Sequence, residues 1–169
     1  MTESIATLVF GGAGFIGSCF VRQCVADSVA RIVNLDKLTY AGNLGSLDPV
    51  MPSPDHVFVQ GDIADPEIVP RLLKDQAVDA VVNFAAETHV DRSIHEAESF
   101  IQTDVYGTYT LLRLADELGV NRFIQISTDE VYGSLGERGA FTEQTPYAPS
   151  SPYSASKAAS DHLARAYFE

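Results

Sequence analysis

The sequence predicts an α/β fold built on a doubly wound parallel sheet, and three observations carry that prediction. Residues 11–17, Gly-Gly-Ala-Gly-Phe-Ile-Gly, follow the apolar run 5–10 and open an amphipathic helical pattern. A second apolar run closes on Asp36, at the distance from the glycine repeat that a βαβ unit gives. Beyond it, short apolar runs alternate with helical patterns, and several of those runs are too apolar to have one face in water, as parallel strands covered on both sides require.

The elements follow in order. Residues 5–10 form the first strand. Gly11 and Gly12 are expected to turn the backbone with dihedrals that a Cβ forbids, Gly14 to let a pyrophosphate approach the main chain, and Gly17 to let the helix over 15–26 sit close to the strand. The free N–H groups at that helix N-terminus suit a diphosphate. A strand over 31–35 ends at Asp36, whose carboxylate is placed to accept from ribose hydroxyls and to repel a 2′-phosphate, which predicts NAD rather than NADP. The stretch 38–54, rich in Gly, Ser, Asn and Pro, reads as a loop. Then come a strand over 57–59, a helix over 66–75, a strand over 80–85 and a helix over 97–118. Leu111, Leu112, Ala115 and Leu118 mark that helix's buried stripe, and Gly119 its left-handed cap. A strand over 123–127, a loop over 133–152 containing Pro146, Pro149 and Pro152, and a helix over 153–168 complete the chain. Right-handed crossovers make this a Rossmann-type sheet whose strand order reverses beside strand one, with ligands at the carboxyl ends of the strands.

Composition narrows the function. A chain of 169 residues can bury a full core as one domain, and its formal charge of -12 argues against nucleic acid or an anionic membrane as partner. No apolar run is long enough to span a bilayer, and the N-terminus lacks a signal-peptide pattern, so a cytoplasmic protein is expected. Cys19 and Cys24 suit neither a redox pair nor zinc and read as packed thiols, while His56, His89, His95 and His162 lack ligand spacing, so no metal is expected.

Two constellations carry chemistry. In Tyr153-Ser-Ala-Ser-Lys157, residues four apart share a helix face, which places an ammonium beside a phenol; joined by the charge of an oxidised nicotinamide, it is expected to lower the Tyr153 pKa toward working pH. A sugar hydroxyl can then lose its proton as hydride leaves the same carbon. In Ser127-Thr128-Asp129-Glu130, at the carboxyl end of the fifth strand, Thr128 offers a hydroxyl to the substrate oxygen or to Tyr153. The adjacent carboxyls of Asp129 and Glu130 can serve as acid and base in an elimination.

These residues together resemble the dTDP-glucose 4,6-dehydratases of the extended short-chain dehydrogenase/reductase superfamily. The likeness runs along essentially the whole chain: the glycine turn at 11–18, Asn-Leu-Asp-Lys-Leu-Thr-Tyr-Ala-Gly-Asn at 34–43, Gly-Asp-Ile at 61–63, Phe-Ala-Ala-Glu at 84–87, His-Val-Asp-Arg-Ser at 89–93, Ser-Thr-Asp-Glu-Val-Tyr-Gly at 127–133 and Tyr-Ser-Ala-Ser-Lys at 153–157. The resemblance implies NAD as cofactor. Phe15 and Ile16 would touch its diphosphate, Asp36, Lys37, Leu38 and Thr39 its ribose, and Asp62 and Ile63 its adenine. Phe84, Ala85, Ala86, Glu87 and Thr88 would line its path, with Thr103 nearby. Thr88 and Thr128 would reach the glucosyl ring of dTDP-glucose, and Tyr153 would be the base for oxidation at C4, with Lys157 on the nicotinamide ribose. Glu130 would then remove the C5 proton while Asp129 protonates the departing C6 hydroxyl, and hydride returned to C6 would leave a 4-keto-6-deoxy sugar. Pairing of two copies through the helices over 97–118 and 153–168 is implied by analogy.

The resemblance also exposes departures. Thr88 stands where serine is usual, Cys19 where asparagine is frequent, and Asp104 where the superfamily commonly has asparagine; there an acceptor stays but an amide donor is gone. The family continues beyond the position of Glu169 through further strands and a smaller substrate-gripping domain. The sheet is therefore expected to stop before its last strands, and the polypeptide to turn over negligibly alone. Two other readings remain open: a nucleotide-sugar epimerase or decarboxylase of the same superfamily, and a non-catalytic NAD-binding module.

Overall fold

The computed structural model describes residues 5–168. The expectations about the N-terminal pattern and about the ending at Glu169 involve residues 1–4 and 169, which lie outside the described residues. Strands β1 (Ile5–Phe10), β2 (Ala30–Asp36), β3 (His56–Gln60), β4 (Ala80–Asn83) and β5 (Arg122–Gln125) form one parallel sheet in the order β3-β2-β1-β4-β5. The order reverses between β1 and β4, as the sequence predicts. Phe10 lies level with Leu35 on one side and Asn83 on the other, so three strands end together at the reversal.

Strand alternation divides the core. Leu8, Phe10, Val33, Leu35 and Val81 face one way and pack with Val69, Leu72 and Leu73 of α2 (Ile68–Asp75) and with Leu111 and Leu114. Val9 and Ile32 face the other way, onto Val21 and Val25 of α1 (Phe15–Ala26) and onto Leu47 and Val50. Each such side chain contributes roughly 1.5–3 kcal/mol by leaving water, which holds the strand ends in fixed places. The stretch 38–54 thus does more than loop outward: a short 3₁₀ turn at Leu44–Leu47 plugs the second core.

The helix expected over 97–118 is not continuous. It consists of α4 (Ala97–Phe100), a π-helical turn (Ile101–Gly107) and α5 (Thr108–Glu117). The wider turn brings Asp104 inward, where both of its oxygens accept hydrogen bonds, and Thr110 bonds back to the Tyr106 carbonyl at 2.9 Å. At the end of α5, Gly119 (φ 69°) sends its N–H to the Asp116 carbonyl, and Val120 N–H reaches Ala115, which is the Schellman closure expected of that glycine. An additional short helix, α3 (Val90–His95), occupies a stretch with no apolar stripe. The second helix starts two residues later than expected because Asp65 accepts from the N–H groups of Glu67 and Ile68.

The last helix, α6 (Pro152–Phe168), packs on α5, the π-helical turn and β5. Strands β4 and β5 stop at Asn83 and Gln125, short of the expected ends, where the Asn83 side chain accepts from the Ala85 N–H and donates to the side-chain oxygen of Gln125. Cys19 is exposed on the outer face of α1 rather than packed; Cys24 is half-buried. Among the described residues no helix is long and apolar enough to cross a membrane.

Candidate active site

A cavity of about 530 Å³ opens at the carboxyl ends of β1, β2 and β4, beside the strand reversal. Its floor is the glycine turn. Gly11 has φ 75°, and a Cβ there would stand 2.6 Å from the Ala85 nitrogen; at Gly17 it would stand 2.3 Å from the Gly11 carbonyl oxygen. Gly12 does not need a positive φ. What it needs is the absence of a side chain, because a Cβ would fall 2.1 Å from the buried Asn34 side chain. Helix α1 begins at Gly14 with no side-chain cap and no acid in its first turn, so its N-terminal donors face the cavity unopposed.

Asp36 closes β2 at 8 % exposure. One carboxylate oxygen accepts from Ala13 N–H at 2.9 Å and the other from Leu38 N–H at 2.8 Å. Each oxygen keeps a second lone pair for a ligand hydroxyl, so the same group holds the glycine turn and faces the cavity. Lys37 pairs with Asp62 at 2.6 Å. Burial pushes the Asp62 carboxyl up, but Ala64 N–H and Lys37 outweigh it, and the group lies below its ordinary value.

Most of the expected residues line this one cavity: Gly11, Gly14, Phe15, Ile16, Gly17, Asp36, Lys37, Thr39, Asp62, Ile63, Phe84, Ala85, Ala86, Glu87, Thr88, Thr103, Tyr153 and Lys157. Leu38 does not. Its backbone adopts φ 56°, and its side chain packs on the core around Val9 and Ile32, so only its main chain stays beside the site. Thr128, Asp129 and Glu130 form a 3₁₀ turn (Asp129–Tyr132) next to the cavity rather than in its wall. Thr128 connects the two: its hydroxyl accepts from Glu130 N–H at 3.3 Å, donates to Asp129 at 3.4 Å and acts on the Tyr153 phenol in the cavity wall.

The expected lowering of the Tyr153 pKa by Lys157 is not found. Burial raises it, the Thr128 hydroxyl opposes the rise, and the carboxylates of Glu130, Asp104 and Asp129 add to it. Lys157, at 4 % exposure, donates to the Ile126 carbonyl at 2.6 Å instead, and burial lowers its own pKa against the pull of Asp104 and Asp161. Burial, with the carboxylates added to it, therefore sets the direction at the phenol.

With this geometry, residues 8–169 match the family described as GDP-mannose 4,6 dehydratase. The chain belongs to that family. It is 57% identical over 169 residues to a dTDP-glucose 4,6-dehydratase of Xanthomonas campestris pv. campestris (strain B100), covering 95% of this chain and 48% of the relative. Its structure superposes on a Streptomyces venezuelae dTDP-glucose 4,6-dehydratase solved with NAD bound, at a TM-score of 0.92 and 53% identity, covering 96% of this chain and 51% of that one. A UDP-Glc/GlcNAc 4-epimerase of Campylobacter jejuni matches at 0.89 and 30% identity, covering 96% and 49%. The chain spans about half the length of the curated relatives it matches.

This member of the GDP-mannose 4,6 dehydratase family also carries site residues that the sequence reading missed. Tyr40 donates to Glu87 at 3.1 Å, accepts from Thr88 N–H at 3.4 Å and lies under the Arg92 guanidinium, so it bridges the loops after β2 and β4. Asp161 accepts from the hydroxyls of Ser127 and Tyr147, tying the strand that leads to Thr128 and the loop 133–152 to α6. His89 also lines the cavity. Among the described residues no cluster of His, Cys, Asp and Glu could hold a metal ion.

Proposed function

We propose that the protein is an NAD-dependent lyase that converts dTDP-glucose to dTDP-4-keto-6-deoxyglucose. The observation that carries this reading is Tyr153: a phenol in the wall of the cavity floored by the glycine turn, under the influence of a threonine that begins an Asp-Glu turn. The residues fit the cofactor. Gly11 and Gly17 let the turn pack where a Cβ would strike backbone, Gly14 adds no side chain at the cavity, the uncapped start of α1 suits a diphosphate, and Asp36 has lone pairs for a ribose. When bound, NAD supplies the acceptor for the C4 hydride and the donor that later delivers it to C6.

The chain's own groups then divide the proton transfers. Tyr153 takes the proton of the C4 hydroxyl, and Thr128, whose hydroxyl acts on the phenol, holds that oxygen in line. The C4 ketone acidifies the C5 hydrogen, Glu130 removes it, and Asp129 gives its proton to the C6 hydroxyl, which departs as water. Lys157, anchored on Ile126, holds the ribose beside Tyr153. Thr88 faces the same cavity and is positioned for the sugar. Two copies are proposed to pair through α5 and α6, which expose Tyr109, Tyr167 and Phe168.

The test is to incubate the intact protein with dTDP-glucose and follow the mass of the sugar nucleotide. Loss of one water with no net change in NAD supports the reading, and Glu130→Gln and Asp129→Asn are expected to slow it at least 100-fold, about 2.7 kcal/mol at the transition state. The epimerase-like neighbour gives the alternative its content: C4 epimers forming without loss of water would replace the dehydratase reading with an epimerase.

A further inference from the structure

The π-helical turn places a carboxylate behind the cavity that the proposed chemistry does not use. Asp104 is 1 % exposed. One oxygen accepts from Glu87 N–H at 2.9 Å and the other from the Ser156 hydroxyl at 2.7 Å, while the Asp104 carbonyl accepts from Ser160 at 2.7 Å. Glu87 belongs to the cavity wall after β4, and Ser156 stands between Tyr153 and Lys157 on α6. The carboxylate thus ties the wall to the helix that carries the phenol and the ammonium.

An asparagine could make both contacts, with its oxygen on Glu87 N–H and its amide donating to Ser156. Hydrogen bonding does not require a carboxylate here. What the carboxylate adds is negative charge, buried where screening is weak, and it acts on Lys157 and Tyr153 through space.

We propose that Asp104 is a positioning residue whose buried negative charge offsets Lys157 behind the cavity and so makes the site favour the oxidised, cationic dinucleotide over the reduced one. The inference rests on the reading of the cavity as an NAD site and is independent of the sugar. NAD⁺ and NADH share their diphosphate and riboses and differ by one positive charge on the nicotinamide ring, so their relative affinity reports the local charge. A buried unit charge is expected to change that ratio by roughly three- to tenfold.

The same charge is switchable. Burial raises the Asp104 pKa to about 6, against the pull of Ser156, Glu87 N–H and Lys157. The titratable groups facing it are Glu87 from the loop after β4 and Tyr153 and Lys157 from α6, with Asp161 acting on Lys157. Glu98 of α4 and Asp116 and Glu117 of α5 are exposed, and Arg113 pairs with Glu117 at the surface. His89 lines the cavity as well, so it needs its own control.

The experiment measures NAD⁺ and NADH dissociation constants on the intact protein between about pH 5 and about pH 8, for the parent, Asp104→Asn, Asp104→Ala and His89→Gln. In the parent, the preference for NAD⁺ is expected to fall roughly three- to tenfold on acidification, with a midpoint near 6. His89→Gln should keep that step. Asp104→Asn should abolish it and hold the parent's low-pH ratio throughout, with both cofactors still bound. Asp104→Ala, which loses the contacts as well as the charge, should bind both more weakly. A parent with no step, or a step that survives in Asp104→Asn, overturns the inference while leaving the NAD reading intact. If the parent binds neither dinucleotide, the NAD reading fails and takes the inference with it.

Discussion

The role proposed for Tyr153 requires the phenol to lose its own proton first, and the folded chain works against that. Burial and three nearby carboxylates raise its pKa, and the Thr128 hydroxyl is the group that opposes them. Thr128→Val keeps the branched shape and deletes the hydrogen bond. Because a hydrogen bond to a charged group is worth about 1.5–3 kcal/mol, the rising limb of kcat/KM against pH is expected to move up by roughly one unit or more. An unmoved limb would disprove the coupling between the two residues. Asp104 gives a stability test with a definite sign. Its folded pKa of about 6 lies above the ordinary carboxyl value of 3.8, so between those values the folded chain holds the proton more tightly than the unfolded chain, and stability declines as pH rises through that window. Asp104→Asn removes the penalty. Denaturation at about pH 7.5 should find the variant more stable by about 2–3 kcal/mol, with the gap closing toward about pH 4; an equal gap at both ends would show that the charge is not what matters.

Among the elements, the loop 133–152 shows how α6 organises its surroundings. Asp161 accepts from Ser127 and Tyr147, and the Tyr147 ring packs edge-on against Tyr132, which in turn meets Phe141. Asp161→Ala leaves two hydroxyls without their acceptor, and limited proteolysis is expected to cut within 133–152 several times faster. Unchanged cleavage would mean that the aromatic contacts alone hold the loop. These long-range ties also explain what could be read from the chain and what could not. Residues 5–10 and 31–35 were legible as strands because a parallel sheet buried on both faces demands unbroken apolar runs, and the glycine turn was legible because its spacing is local. The Tyr40–Glu87 bridge and the Asp161 bonds join residues 47, 34 and 14 apart, which leave no local pattern. The break in the helix over 97–118 was hidden for another reason. The stripe from Leu111 to Ala115 is truly helical, and extending it backward assumes a constant period, whereas the π-helical turn widens the backbone where Asp104 needs to face inward. Helix α3 was illegible because its hold comes from the Arg92–Glu96 pair and Ser93 bonding the Val90 carbonyl, not from an apolar face.

For the molecule as a whole, the question is how a chain of formal charge -12 takes up an anionic dinucleotide. The cations at the cavity are few: Lys37 pairs with Asp62, and Lys157 is anchored on the Ile126 carbonyl at the Tyr153 end. In the proposed NAD site the diphosphate is held by the N–H groups of the glycine turn and the start of α1, which act over one turn of helix, while the net charge repels it over longer distances. Salt discriminates between these ranges, since a Debye length of about 10 Å at 0.1 M screens the distant repulsion and leaves contacts in place. Raising salt from about 0.02 M to about 0.2 M is therefore expected to leave NAD affinity unchanged or to tighten it by up to about threefold, and to speed association. Calorimetry and stopped-flow binding on the intact protein would measure both. A tenfold loss of affinity over the same range would be the behaviour of a basic clamp, and would move the diphosphate from the backbone donors to side-chain cations such as Lys37.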